Sequence, residues 1–123
     1  MKSFFEKLTP DAGGEVRLVV AVDGSWFDRM GQRVLLRSYR VLGALLARLA
    51  ERRLSTPGLP VPAPELVAAG WPNERIADRA ARNRLRVALA TLRKVGLRDV
   101  LVTKDGGYMI DPGFDVVCVT VAD

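Results

Sequence analysis

The chain contains no histidine and only one cysteine, Cys118. Without histidine there is no imidazole general base, no Ser–His triad and none of the usual zinc-ligand sets. A lone cysteine excludes an intrachain disulfide. Cys118 lies in the alternating run 114–121 and reads as a small buried apolar residue rather than a reactive thiol. No apolar run approaches the roughly 20 residues of a membrane helix. The longest, residues 41–50, is interrupted by Arg48. Glu6 and Lys7 stand where a signal peptide would carry its apolar core, so a cytoplasmic protein with no membrane partner is expected. No nucleophile–base pair, metal-ligand cluster or cofactor loop is visible. The sequence therefore assigns no catalytic residue, no metal and no cofactor.

What is present is an ordinary globular composition with an uneven charge. Of the 123 residues, 49% are hydrophobic and 27% charged, enough apolar material for one domain with its own core. The net charge is +5, and arginine outnumbers lysine by fifteen to four. Residues 75–98 alone carry eight basic side chains against one acid, Asp78, a net +7 that leaves −2 for the remainder. Charge concentrated in this way on one element is the footprint expected for a polyanionic partner. The plainer reading is a solvated face in an arginine-rich chain.

That basic stretch also has helical periodicity. Ala81, Leu85, Ala88, Leu89 and Leu92 fall on one face, while Asn83, Arg84, Val87, Thr91 and Lys94 fall opposite. Arg79, Arg82, Arg86 and Arg93 line a flank. A short apolar strand follows Gly96, then the turn from Lys104 to Tyr108, whose paired glycines read as a hairpin. A helix with an apolar back and a basic front, followed by a β-hairpin, suits duplex DNA. The helix fits the major groove and the hairpin tip reaches the neighbouring backbone. On this reading Arg84 contacts a base edge, aided by Asn83, and Val87 and Thr91 are available to a thymine methyl. Arg79, Arg82, Arg86 and Arg93 track phosphates.

In chain order, residues 1–14 read as a loosely held, flexible leader, with 15–123 forming the domain. Residues 15–22, Trp26 to Asp28 and Arg33 to Leu36 are expected strands of a small antiparallel sheet. Trp26 is expected to cover that sheet. Ser38 offers an N-cap to a helix over 39–53 whose stripe is Val41, Leu42, Leu45, Leu46 and Leu49. Arg40, Arg48, Glu51, Arg52 and Arg53 should lie largely outside, and Gly43 and Ala44 should permit close packing on another helix. Residues 54–64 hold four prolines and cannot be helical; Leu59 and Val61 suggest a connection hugging the surface. A short helix over 63–69 stops at Gly70, and Trp71 plugs the junction between helices. The turn at Asp111, Pro112 and Gly113 leads into a final strand, 114–121.

Three helices with a terminal hairpin make an α+β winged helix-turn-helix, and several motifs strengthen the likeness. Gly31-Gln32-Arg33-Val34-Leu35-Leu36 resembles the "G-x-x-V-x-L" that precedes the first helix in the OmpR/PhoB-type winged-helix family of bacterial regulators. Residues 65–71 resemble its "L…W" second helix. Residues 83–94 resemble its recognition helix, which ends in Leu-Arg-Lys, and Thr103 to Tyr108 resembles its wing, here one residue shorter. The likeness covers residues 15–111. It implies a cytoplasmic transcription regulator on double-stranded DNA, with base contacts from positions 83, 84, 87 and 91. It also implies Lys104 in the minor groove, Arg93 on the backbone, a homodimer on direct repeats, and RNA polymerase contact through the loop from Trp71 to Arg75. The alternative left open is a winged-helix module whose basic face meets an acidic protein.

Overall fold

The computed structural model describes residues 17–120, so the leader expectation for residues 1–14 lies outside the described residues. The chain runs β1 (Arg17–Ala21), β2 (Trp26–Arg29), β3 (Gln32–Leu35), α1 (Arg40–Ser55), β4 (Val61–Pro62), α2 (Ala63–Gly70) and α3 (Asp78–Leu92). A widened turn, Arg93–Leu97, leads to β5 (Leu101–Lys104), β6 (Gly107–Ile110) and β7 (Asp115–Val119). The result is a mixed α+β domain of three helices and two sheets.

The first sheet has the order β3-β2-β1-β7. β1, β2 and β3 pair antiparallel as expected, and the β2–β3 turn places Met30 and Gly31 at φ 53° and 80°, the positive-φ pair that suits a two-residue hairpin. The last strand makes the sheet mixed rather than purely antiparallel. β7 returns to lie parallel to β1, with Val19 opposite Val117 and Ala21 opposite Val119. A hydrophobic pattern marks β7 as a strand but carries no instruction about its neighbour, because pairing across nearly the whole chain is set by packing.

The second sheet, β4-β6-β5, corrects the reading of the proline-rich stretch. Val61 and Pro62 form a two-residue edge strand opposite Tyr108 and Gly107, and Val61 is fully buried instead of hugging the surface. Proline is tolerated there because an edge strand leaves one side of its backbone unpaired. The two hairpin glycines also divide their work. Gly106 (φ 79°) makes the turn with Asp105 (φ 50°), whereas a Cβ on Gly107 would stand 2.5 Å from the Val61 carbonyl oxygen. Gly107 is therefore required by β4, not by the turn.

One core joins the layers. Leu18, Val20 and Phe27 come from the first sheet, Leu45, Leu46 and Leu49 from α1, Leu66 from α2, Leu85, Leu89 and Leu92 from α3, and Ile110 from β6. Each fully buried leucine contributes about 2 kcal/mol of transfer free energy. Trp71 packs half-buried against this core, and Trp26 lies under the Arg33 guanidinium, 3.7 Å from the ring centre. Four local expectations fail. Tyr39 rather than Ser38 occupies the α1 N-cap, with no side-chain capping bond, and α2 extends through Gly70. Gly43 packs against the β1–β2 turn rather than a helix: a Cβ there would lie 2.6 Å from the Gly24 oxygen. Arg52 and Arg53 are half-buried. Arg52 donates to the Pro60 carbonyl and to Glu65, and Arg53 to the carbonyls of Pro112 and Phe114.

Candidate nucleic-acid interface

The α3 apolar stripe buries Ala81, Leu85, Ala88, Leu89 and Leu92, the residues that periodicity selects. Because 3.6 residues make a turn, fixing that stripe turns the opposite side outward. Arg79, Arg82, Asn83, Arg84, Arg86, Val87, Thr91 and Lys94 are all exposed, Val87 by 57%. The structure thus brings seven of the ten sequence-derived candidates onto the solvent side of α3, with Lys94 exposed in the turn that follows it.

Their partners differentiate them. The Asn83 Oδ1 accepts a 2.8 Å hydrogen bond from Arg86 Nη2, and the Thr91 hydroxyl donates back to the Val87 carbonyl at 3.1 Å. Arg84 is held by Glu74, from the loop before α3, with Nη1 3.2 Å from Oε1. Among the described residues, no carboxylate pairs with Arg75, Arg79, Arg82, Arg86, Lys94 or Arg98. Five other carboxylates pair elsewhere in the fold: Asp115 with Arg17, Asp99 with Arg29, Asp28 with Arg33, Glu51 with Arg48, and Glu65 with Arg48 and Arg52. Those pairs leave the positive face largely unneutralised.

Arg93 departs from its expected role. Its Nε and Nη2 both donate to the Leu101 carbonyl, at 3.2 and 3.0 Å, tying the end of α3 to β5. It is half-buried, and its position on the helix flank gave no sign of this, because the acceptor arrives from beyond the Gly96 break. Lys104 stands exposed at the end of β5, where Nζ donates to the Gly58 carbonyl at 3.3 Å. It therefore leans toward the proline-rich connection, and the hairpin tip carries Asp105 next to it.

Arg29 braces the junction between α3 and β5. Its guanidinium donates to the Gly96 carbonyl at 2.7 Å and grips Asp99 with two bonds of 2.8 Å, holding that carboxyl below its ordinary range. Sequence reasoning missed Arg29, Asp99 and Glu74. Only the adjacency of Glu74 to Arg75 in the basic run hinted at the last, and an ion pair between positions 74 and 84 follows no local period. Cys118 is half-buried in β7, where burial and then Glu51 push its thiol up, away from thiolate chemistry. No cluster of potential metal ligands occurs among the described residues, and none of their helices is long and apolar enough to cross a membrane. Neither a protein-family model nor a curated protein sequence matches this chain, so its reading rests on the geometry of α3 and the β5–β6 hairpin.

Proposed function

We propose that this domain binds double-stranded DNA, with α3 in the major groove and the β5–β6 hairpin on the adjacent backbone or minor groove. On this reading it is a winged-helix transcription regulator or the DNA-binding module of one. The observation that carries it is the set of exposed cations without a carboxylate partner among the described residues, Arg79, Arg82 and Arg86 on α3 and Lys94 just after it, around the exposed Asn83, Val87 and Thr91. Surface cations along a helix can meet phosphates, and short polar and apolar side chains between them suit base edges. Arg84 is the candidate for base recognition, and Lys104 reaches the backbone from the wing.

The test is duplex binding by fluorescence anisotropy across a range of salt concentrations. Each phosphate contact contributes about 0.9 to the slope of log affinity against log salt, so the free cations of α3 and the wing predict a slope of about −3 to −5. A slope near zero removes the proposal. The second reading, an acidic protein docking on the same face, gains ground if a polyglutamate peptide binds while duplex does not. The exposed residues Pro72, Asn73, Glu74 and Arg75 offer that partner a projecting loop.

A further inference from the structure

We propose that Glu74 acts through Arg84 to suppress sequence-independent binding, so that this arginine near the middle of α3 serves base recognition rather than phosphate anchoring. The inference rests on the DNA reading above. Seven cations between Arg75 and Arg98 are exposed, and among the described residues only Arg84 meets a carboxylate. That carboxylate arrives from outside the helix, through a single 3.2 Å contact between Oε1 and Nη1. The two side chains are 48% and 52% exposed, so the pair is open to solvent and contributes little to folding. Its consequence is for the charge Arg84 presents to a ligand.

The contact occupies Nη1 and leaves the Nε and Nη2 edge free. That edge is still a two-donor fork able to meet the O6 and N7 acceptors of guanine. A phosphate approaching the same guanidinium meets a charge already neutralised and a carboxylate that repels it. An uncharged base edge is repelled far less. Glu74 therefore penalises the contact that every duplex offers and spares the contact that only some sequences offer. Arg79, Arg82, Arg86 and Lys94 have no such partner and remain general phosphate ligands.

The experiment measures binding of a labelled random-sequence duplex by wild type, Glu74→Gln, Arg84→Gln and the double variant across a salt series. Thermal unfolding verifies that all four fold. Glu74→Gln is expected to bind several-fold tighter at low salt, with the slope steeper by about 0.9, the signature of one added phosphate contact. In the Arg84→Gln background the same substitution should leave the slope unchanged. An unaltered slope in Glu74→Gln overturns the proposal, and so does equal steepening with and without Arg84, which would reduce the effect to net charge. Absence of any salt-dependent duplex binding by the wild type would instead remove the DNA reading on which the proposal stands.

Discussion

Gly107 and Gly106 adjoin each other at the tip of the β5–β6 hairpin, yet a methyl group on each is expected to act differently. At Gly107 the added Cβ meets the Val61 carbonyl oxygen at 2.5 Å, so Gly107→Ala must push β4 away from β6. Overpacking of this kind costs about 1–3 kcal/mol, measurable as a lower denaturant midpoint. At Gly106 the space is open and only the positive φ of 79° resists, so Gly106→Ala should cost about 1 kcal/mol through backbone strain alone. Asp99 carries a pH dependence. Arg29 depresses its folded-state pKa, so the stabilisation is present above the unfolded value near 4 and is lost as pH falls through the lower folded value. The Asp99 side chain is 64% exposed, so screening keeps the effect small. Asp99→Asn should flatten the acid limb of a stability–pH profile recorded by chemical denaturation, and an unchanged limb would assign that limb to other carboxylates.

At the scale of the element, α3 divides its arginines between holding the fold and facing outward. Arg93 supplies two bonds to the Leu101 carbonyl, while Arg82 is exposed with no carboxylate partner among the described residues. Arg93→Gln is expected to cost about 1–2 kcal/mol of stability, since hydrogen bonds from a charged donor exceed neutral ones. Arg82→Gln should leave stability nearly unchanged and make the salt dependence of duplex binding shallower by about 0.9. Thermal unfolding and salt titration of both variants separate the roles. A flattened slope in Arg93→Gln with intact stability would return that side chain to the phosphate-contact group. The β5–β6 hairpin is held from three directions, by Arg93 to β5, by β4 along β6, and by Arg29 on the Gly96 carbonyl and Asp99. A hairpin alone is marginally stable in water, and these attachments let it hold a set position relative to α3.

Across the whole molecule, β7 closes the domain by joining its last described strand to its first. The Val119 carbonyl accepts from the Val22 N–H at 2.8 Å, and strand alternation turns the main-chain groups of Val117 toward β1 as well. Val117→Pro should therefore delete a ladder bond at the chain's longest-range pairing. The expected cost is about 3 kcal/mol, seen as a large drop in melting temperature by circular dichroism. If unfolding stays as stable and as cooperative as in the wild type, β7 is an accessory strand rather than a closure. The same scale explains the charge distribution. Five carboxylates outside α3 pair with Arg17, Arg29, Arg33, Arg48 and Arg52, and the exposed cations without a carboxylate partner among the described residues include Arg79, Arg82 and Arg86 of α3, whose buried side is apolar.

Local pattern was sufficient for the helices, for the β1–β3 meander and for the hairpin, because periods of 3.6 and 2 and positive-φ turn residues act over a few positions. It was also sufficient for the exposed face of α3: once Leu85, Leu89 and Leu92 are buried, Arg82, Arg86 and Thr91 have nowhere to point but outward. Tertiary structure alone decided the parallel seat of β7, the conversion of Val61 and Pro62 into a strand, and the diversion of Arg93 and Arg53 to distant carbonyls. It alone decided the pairing of Glu74 with Arg84. Each of these depends on a partner brought near only by packing of the common core, and a side chain's spacing in sequence carries no information about a partner that folding delivers from elsewhere.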